Sequence, residues 1–451
     1  MAVFAKNCPD IEIEVVDINE GRINAWNNDD LTKLPVFEPG LSRIIREVRG
    51  RNLIFSTSVK DSIKKADMVF ISVNTPIKEK GIGAGETSDL RWVESCARQI
   101  SEVSEGHTIV VEKSTLPVKT AQTIKDILFS SKYQTSEKSF SVLSNPEFLA
   151  EGTAIKDLEE PDRVLIGGDD EEAMKSLKDI YLNWIPPEKL IFTNLWSSEL
   201  SKLTANAFLA QRISSINSIS AICEVTGADV SEVSFAIGKD NRIGSEFLNS
   251  GPGFGGSCFK KDILNLVYLA KFYGLNEVAD YWKKVVEINF WQQKRVYEIV
   301  VKKLFGNLAD KKIAILGFSF KENTNDTRES PAIGICRNLL NEGAFLSIHD
   351  VKVNEENIEK SLAIDIFVSG NGFDKNIPNW EYQSNLYKAI ENSHAVILLT
   401  SWEEYKTIDW GRVSLTVKSP FWVFDTRLIL DTKNLEGLGL NIWQLGIGNN
   451  N

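Results

Sequence analysis

Short apolar segments alternate with longer stretches of helical periodicity along the first two hundred residues. Seven segments are typical of buried parallel strands, at residues 11–16, 53–56, 68–73, 108–111, 140–143, 164–166 and 190–192. The stretches between them include 90–103 and 118–128, where apolar residues recur with the period of a helix. This alternation predicts a doubly wound sheet in an α/β protein.

The pattern then changes to one long helix over residues 196–225, which contain an apolar stripe and no Gly or Pro. More helix follows to residue 305, and strand–helix alternation restarts with apolar segments at 313–316, 346–349, 395–399 and 422–424. The sequence therefore predicts an α/β fold with two Rossmann-like, doubly wound parallel-sheet domains joined by a long central helix and a helical region. The predicted domains are residues 1–194, 195–308 and 309–451.

Composition and charge narrow the classes of partner. The 451 residues are 43% hydrophobic and 25% charged, which is ordinary for a globular chain. A net charge of -11 argues against nucleic acid or an anionic membrane surface as the main partner. Five scattered cysteines without paired spacing predict reduced thiols and a cytoplasmic protein. The three histidines are not spaced as metal ligands, so no metal site is predicted.

The run from Gly251 to Asp262, GPGFGGSCFKKD, has the strongest chemical signal in the chain. Its glycines suit a tight turn that lets a ligand approach the backbone, with a helix beginning at Cys258. A helix N-terminus beside Lys260 and Lys261 favours the nucleophilic thiolate. Asp262 lies four residues after the thiol, on the same helix face, where it can handle protons. The alternative is a buried structural cysteine after a glycine turn, but the surrounding residues favour a nucleophile.

Both α/β halves end an early strand with an acidic residue, Asp17 in the first and Asp350 in the second. In a Rossmann unit such an acid binds the adenosine ribose, about 20 residues after a glycine fingerprint. The first six residues are instead typical of the end of the first Rossmann helix. We therefore expect the first strand and its G-x-G-x-x-G turn to be missing from this sequence, through truncation or in a true short form.

Eight stretches, in order along the chain, carry a specific resemblance. They are SVNTP at 72–76, EKSTLP at 112–117, SNPEFLAEG at 144–152, ELSKLTANAF at 199–208, the Cys258 loop, GFSFK at 317–321, DTRES at 326–330 and FDTR at 424–427. Together they resemble the UDP-glucose 6-dehydrogenases of the UDP-glucose/GDP-mannose dehydrogenase family over nearly the whole chain. The resemblance implies an NAD-binding first domain, a central dimerisation domain with the cysteine loop, and a UDP-sugar-binding third domain.

The implied reaction oxidises the C6 hydroxyl of UDP-glucose to a carboxylate with two NAD+. Cys258 would add to the intermediate aldehyde, and the thiohemiacetal would then be oxidised to a thioester. Lys202 and Asn206, at i and i+4 on the long helix, would both face the oxyanion. The remaining catalytic residues implied by the resemblance are Asp262 and Lys202 for the hydroxyl proton, Thr115 for a water, and Glu147 for hydrolysis.

The resemblance also implies binding residues. Those for the substrate are Glu147, Phe148, Leu149, Ala150, Glu151, Lys202, Leu203, Thr204, Ala205, Asn206, Arg242, Asn249, Ser250, Gly251, Pro252, Gly253, Phe254, Gly255, Phe320, Lys321 and Arg427. Those for NAD are Asp17, Arg22, Val73, Asn74, Thr75, Pro76, Ile77, Ser114, Thr115, Leu116, Glu151, Cys258, Phe259, Lys260, Lys261 and Arg328. In the family Arg242 reaches the neighbouring subunit's substrate, which implies a homo-oligomer, either a dimer or an assembly of dimers.

Two alternatives remain open from the sequence. The chain could oxidise another nucleotide sugar, such as a UDP-hexosamine or GDP-mannose. It could also be an NAD-deficient form that binds a UDP-sugar or another subunit, because the expected loss of the first strand would remove the backbone that holds the pyrophosphate. On that expectation the chain binds UDP-glucose but binds NAD+ weakly. Asn249, where some family members have lysine, and Pro252 depart from the family pattern.

Overall fold

The computed structural model describes residues 1–115, 117–130, 138–363, 379–435 and 437–448. The chain divides into two compact units. The first comprises Met1–Ala205 with Leu264–Ala279, and the second comprises Asn206–Ile263 with Asp280–Asn451. In the described part of the chain, no helix is long and apolar enough to cross a membrane. The three predicted domain boundaries are not tested by this division and stay a prediction.

The strands of the first unit form a two-stranded and a five-stranded sheet. The two-stranded sheet pairs β1 (Ile13–Val16) with β2 (Leu53–Ser56) in parallel. The larger sheet contains, in spatial order, β3 (Met68–Ile71), β4 (His107–Glu112), β5 (Ser139–Ser144), β6 (Val164–Gly167) and β7 (Leu190–Thr193). Its pairs are parallel except for one antiparallel bridge between β5 and β6. Among the described strands, β1 pairs only with β2, and β3 only with β4. The expected weak binding of NAD+ stays a prediction.

Eight helices of the first unit's described residues precede the long helix. They are α1 (Ala2–Asn7), α2 (Glu20–Trp26), α3 (Leu41–Val48), α4 (Val59–Lys65), α5 (Arg91–Val103), α6 (Thr120–Ser130), α7 (Ala154–Glu159) and α8 (Glu171–Tyr181). Helix α5 shows why they pack on the sheet, because Val93, Ala97 and Ile100 recur at helical spacing and are buried with the apolar side chains of β4 and β5. Each large apolar side chain buried in this way contributes about 1.5–3 kcal/mol.

The strand at residues 190–192 was predicted to be buried, and this is wrong for β7. Ile191 and Phe192 are 43% and 46% exposed, because β7 is the edge strand of its sheet. A short apolar run does not reveal whether its strand has one neighbour or two.

Four long helices follow. They are α9 (Leu195–Thr226), α10 (Val230–Gly238), α11 (Phe259–Phe272) and α12 (Asn276–Lys303). Helix α9 runs from the first unit into the second, and its apolar positions Leu203, Ala207 and Ala210 are buried at i, i+4 and i+7. The predicted long helix is therefore confirmed.

The second unit contains a six-stranded, all-parallel sheet. Its strands in chain order are β8 (Lys312–Leu316), β9 (Phe345–His349), β10 (Trp380–Tyr382), β11 (Ala395–Leu398), β12 (Phe421–Asp425) and β13 (Leu440–Gln444). The spatial order β10-β9-β8-β11-β12-β13 is the doubly wound order of a dinucleotide-binding fold. Its remaining described helices are α13 (Pro331–Asn341), α14 (Glu355–Ala363), α15 (Leu386–Ile390), α16 (Glu403–Lys406) and α17 (Trp410–Ser414).

The strand order of the second sheet reverses between β8 and β11, where such folds bind ligands beyond the carboxyl ends of the strands. Gly317 follows β8 there with a φ of 96°, and a Cβ on it would lie 2.4 Å from the Cβ of Thr400. Only glycine fits this close approach. The predicted α/β class, with two Rossmann-like parallel-sheet parts and a long central helix, is confirmed.

Candidate active site

Cys258 lies immediately before α11, as its glycine-rich neighbourhood predicts. The carbonyl oxygen of Cys258 accepts a 2.9 Å hydrogen bond from the backbone N–H of Asp262, so the residue closes the first turn of the helix. Its Sγ lies 3.6 Å from the hydroxyl of Ser257. The thiol is partly buried at the positive end of a 14-residue helix, a place that favours the thiolate.

Asp262 is fully buried one turn into α11 and is held by Asn206 of α9. The Nδ2 of Asn206 donates a 2.6 Å hydrogen bond to the Oδ2 of Asp262, and Asn206 is itself buried. Three predicted catalytic residues of the second unit, Cys258, Asp262 and Asn206, thus lie in one connected arrangement. A buried carboxyl group one turn from a thiol can take up or release a proton there.

Three buried polar side chains that the sequence analysis missed hold the glycine loop. The Oδ1 of Asn217 accepts from the backbone of Gly251 at 2.9 Å, and the Nε2 of Gln292 donates to its carbonyl at 3.0 Å. Asn289 accepts from the backbone N–H of Phe254 at 2.7 Å and donates to its carbonyl at 3.0 Å. Asn289 and Gln292 lie on a face of α12 that the structure buries, and the sequence alone gave no signal that this face packs on the glycine loop.

A second cluster of predicted residues lies in the first unit. The Nζ of Lys202 is 3.2 Å from the Oε1 of Glu147, and the hydroxyl of Thr115 lies 3.5 Å from the same oxygen. The other carboxylate oxygen of Glu147 accepts from the backbone N–H of Leu149 at 2.8 Å. Lys202 and Asn206, which the sequence places four residues apart, occupy successive turns of α9. The cluster places a cation, a carboxylate and a hydroxyl within reach of one another.

Lys113 adjoins this cluster, although sequence reasoning gave it no role. Its Nζ donates to the side chain of Asn145 at 2.9 Å and to the hydroxyl of Tyr181 at 3.3 Å. Burial lowers the pKa of Lys113 to about 8, the carboxylate of Glu147 opposes that change, and the charge of Lys202 adds to it. A lysine in this setting loses its charge around pH 8 instead of above pH 10.

A cavity of about 630 Å³ opens in the second unit, and three predicted substrate residues, Asn249, Ser250 and Arg427, line it. Ser250 is 7% exposed, and its Oγ has no hydrogen-bond partner in the described part of the chain. Buried hydroxyls are nearly always paired. The unpaired Oγ therefore fits a group that bonds to a ligand in the cavity.

Arg427 is one of two described basic residues, with Lys406, that line this cavity. Its Nε donates to the carbonyl of Leu399 at 2.8 Å and its Nη2 to that of Phe320 at 3.4 Å. A Cβ on Gly251 would lie 2.9 Å from the Nη1 of Arg427, so a side chain at this position would displace the guanidinium. Burial lowers the pKa of Arg427 to about 10, and the nearby Glu322 carboxylate opposes that shift. A half-buried guanidinium fixed by two carbonyls suits an anionic group.

Other predicted substrate residues lie apart from this cavity or make contacts of their own. Arg242 is exposed and bonds in two places to Asp240, with its Nη2 2.7 Å from the Oδ2. The guanidinium carbon of Arg163 lies over the ring of Phe148, 3.9 Å from the ring centroid. Leu203 is part of the buried core of α9.

The predicted NAD residues of the first unit follow the carboxyl ends of its parallel strands. Asp17 follows β1 and lies 3.5 Å from the Nη1 of Arg22, near the N-terminus of α2. Val73 follows β3, and its carbonyl accepts a 2.8 Å hydrogen bond from the hydroxyl of Ser114, which follows β4. The hydroxyl of Thr75 donates to the carbonyl of Thr115 at 3.2 Å. Leu116 lies outside the described residues. This is the edge at which a doubly wound sheet binds a dinucleotide, so the residues present fit NAD.

Two of the predicted NAD residues that lie in the second unit form ion pairs there. Lys260 is 2.9 Å from the carboxylate of Glu329, and Arg328 forms a close ion pair with Asp326. The site prediction as a whole is untested and stays a prediction.

Three family models match successive parts of the chain. They are the NAD binding domain of the UDP-glucose/GDP-mannose dehydrogenase family at residues 1–185, its central domain at 196–291, and its UDP binding domain at 314–432.

Several known proteins share about half of their aligned residues with this chain. UDP-glucose 6-dehydrogenase 3 of Arabidopsis thaliana is 50% identical over 467 aligned positions, which cover 99% of this chain and 94% of the relative. UDP-glucose 6-dehydrogenase 5 of Oryza sativa subsp. japonica is 49% identical, with the same coverage. The solved structure of a UDP-glucose dehydrogenase from Pyrobaculum islandicum is similar, with a TM-score of 0.84 and 28% identity over 99% of this chain and 95% of that one. The chain therefore belongs to the UDP-glucose/GDP-mannose dehydrogenase family, as its motifs predict.

Proposed function

We propose that this protein is an NAD-dependent UDP-glucose 6-dehydrogenase, which oxidises the C6 hydroxyl of UDP-glucose to the carboxylate of UDP-glucuronate. The observation that carries the proposal is the position of Asp262 one helical turn after Cys258, to which its backbone N–H is hydrogen-bonded. The side chain of Asp262 also accepts a 2.6 Å hydrogen bond from the buried Asn206. A nucleophilic thiol beside a fixed carboxyl group suits an oxidation that passes through an acyl-enzyme. NAD+, when bound, accepts one hydride in each of the two oxidations.

Cys258 carries the covalent step. Its thiolate adds to the C6 aldehyde left by the first oxidation, forming a C–S bond and a thiohemiacetal oxyanion. The second oxidation removes hydride from that carbon and leaves a thioester, and water then cleaves the C–S bond to give the carboxylate and the free thiol. The overall reaction uses one water and two NAD+, so four electrons leave the substrate carbon.

Lys202 and Asn206 stabilise the oxyanion of the tetrahedral species. They occupy successive turns of α9, so donors from both side chains project along the same helix face. One such donor contributes about 100-fold or more to turnover in other acyl-transfer sites. Thr115 and Glu147 share a 3.5 Å contact through which they hold and activate the hydrolytic water. Asp262 takes the proton of the reacting hydroxyl.

The cavity beside Ser250 and Arg427 binds the UDP moiety. Its volume of about 630 Å³ suits a nucleotide. Two nitrogens of Arg427 are already bonded to carbonyl oxygens, so the guanidinium is fixed before the pyrophosphate binds. Asn249 lines the same cavity, and its neutral amide in place of a lysine leaves Arg427 as the stronger anion-binding group.

The helices of the second unit also support self-association as a dimer or an assembly of dimers. Large apolar side chains are exposed on them, including Phe208, Ile222 and Val225 on α9 and Phe235 on α10. Five free cysteines support a reducing, cytoplasmic location.

A substrate panel tests the proposal. The purified protein is incubated with NAD+ and, separately, UDP-glucose, a UDP-hexosamine and GDP-mannose, and NADH and sugar acid are quantified. We expect UDP-glucose to give two NADH for each UDP-glucuronate. A preferred UDP-hexosamine or GDP-mannose would contradict the substrate, and tight binding of UDP-glucose without NADH would favour a UDP-sugar-binding protein instead.

A further inference from the structure

Two glutamates have no part in the mechanism above, although each is the first residue of a family motif, EKSTLP at 112–117 and ELSKLTANAF at 199–208. Glu112 is the last residue of β4, and Glu199 lies in the second turn of α9. Each is only 3% exposed. In the described part of the chain, neither carboxyl group forms an ion pair with lysine or arginine, although buried carboxylates usually require such a partner.

Glu199 holds the beginning of α6. One carboxylate oxygen accepts from the backbone N–H of Lys119 at 2.7 Å, and the other accepts from that of Ala121 at 2.8 Å. Lys119 has a φ of 78°, a conformation that side chains other than glycine rarely adopt. Glu199 therefore stabilises a strained turn and supplies acceptors for a helix N-terminus.

Glu112 lies in hydrogen-bonding contact with the carboxyl group of Glu199. Its Oε2 is buried, and no donor reaches it from the described residues. Burial raises the pKa of Glu112 well above its usual range, and the charge of Glu199 adds to this. Burial also raises the pKa of Glu199, but the N–H groups of Ala121 and Lys119 oppose that shift. The proton therefore belongs on Glu112 and the charge on Glu199.

Cations on the surrounding elements are engaged elsewhere. Lys113 bonds to Asn145, Lys202 pairs with Glu147, and Lys125 of α6 pairs with Asp169. The Nζ of Lys119 lies 5.4 Å from the ring centroid of Tyr273. A shared proton is thus the means by which two buried carboxyl groups can lie side by side.

We propose that Glu112 and Glu199 are a proton-sharing pair of positioning residues, which fixes the turn between β4 and α6 against the first turns of α9. The inference rests on the proposed function, because Thr115 lies three residues after Glu112, and Lys202 three residues after Glu199. Glu112 donates its proton to Glu199, and Glu199 keeps both oxygens for the two backbone N–H groups. The pair thereby aligns Thr115 and Lys202 on Glu147.

The amide variants separate the two roles. Gln at position 112 still donates a hydrogen bond, so we expect Glu112→Gln to keep kcat within about threefold of the parent. Gln at position 199 turns an NH2 group towards one of the backbone N–H donors, so we expect Glu199→Gln to lose about tenfold or more in kcat with little change in KM for UDP-glucose. Equal losses from the two substitutions would overturn the proposal.

Thermal unfolding followed against pH gives a readout that needs no activity. The parent keeps a proton that its unfolded chain releases above the ordinary glutamate pKa, so its stability falls as pH rises above 4.5. Glu112→Gln has no such proton. We therefore expect the Tm of Glu112→Gln minus that of the parent to increase over this range, and a constant difference would overturn the proposal.

The two experiments also separate this inference from the proposed function. If the parent fails to oxidise UDP-glucose, the proposed function is wrong, and the Tm profile still decides whether the pair shares a proton. If Glu199→Gln does not fold, the Glu112→Gln profile alone decides.

Discussion

The ammonium group of Lys202 lies 3.2 Å from the carboxylate of Glu147, and the lysine side chain is only 5% exposed. The carboxylate compensates the ammonium group for the loss of water that burial causes. The pair thus holds a positive charge on α9 at a fixed place, one helical turn before Asn206. Electrostatic stabilisation of a developing oxyanion requires a charge positioned in this way before the reaction begins.

Replacing Lys202 should therefore damage turnover more than substrate binding. We expect Lys202→Ala to lower kcat by at least about a hundredfold, the scale of losing one oxyanion donor. Lys175→Ala, which removes an exposed lysine from α8, is the control and should leave kcat unchanged. A loss from Lys202→Ala smaller than about tenfold would reduce Lys202 to a structural partner of Glu147.

Ser250 offers a test of the substrate cavity that separates binding from folding. Removing a buried hydroxyl that has no partner among the described residues should not destabilise the protein, so we expect Ser250→Ala to keep or raise the free energy of unfolding. The KM for UDP-glucose should rise about threefold to tenfold because the ligand loses a hydrogen bond.

Ser104→Ala is the matched control, because Ser104 is also buried, its Oγ has no partner within the described ranges, and it belongs to the first unit. It should leave KM unchanged. If Ser250→Ala lowered stability without changing KM, the hydroxyl would have a structural role and the cavity would lose this contact.

Lys113 predicts a distinctive dependence of stability on pH. Its pKa falls from 10.5 to about 8 on folding, so between these values the unfolded chain binds more protons than the folded one. Stability due to this group therefore rises with pH across that window, by up to about 3 kcal/mol. We expect the unfolding free energy of the parent minus that of Lys113→Met to increase from pH 8 to pH 10, measured by denaturant titration. A difference that stays constant or falls would show that Lys113 is not desolvated in this way.

Much of the fold could be predicted because buried parallel strands are continuous apolar runs. The run at 140–143 lies within the buried part of β5, and the Gly- and Pro-free stretch at 196–225 differs from α9 by one residue at each end. The missed strands, β10 and β13, are the two edges of their sheet, and their three and five residues mix polar with apolar side chains. These two strands therefore lack the continuous apolar run that marked the predicted strands.

The candidate site was predictable where one local segment holds the chemistry, as in the run from Cys258 to Asp262. It was not predictable where distant segments meet. Asn217 and Gln292 fix Gly251 from positions 34 and 41 residues away. The contact between Glu112 and Glu199 likewise joins a strand end to a helix that begins more than eighty residues later. Such pairings depend on the topology of the fold, which the spacing of residues in the sequence does not reveal.

The most direct test of the account is the formation of UDP-glucuronate by Cys258→Ala. The thiol acts only after the first oxidation, so UDP-glucose should bind to the variant with nearly unchanged affinity in a calorimetric titration. Uronate formation should fall at least about a hundredfold, because the acyl-enzyme cannot form. Cys96→Ala, which removes a half-buried free thiol from α5, should keep full activity. Uronate formation by Cys258→Ala at a rate near that of the parent would contradict the central claim that Cys258 is the nucleophile.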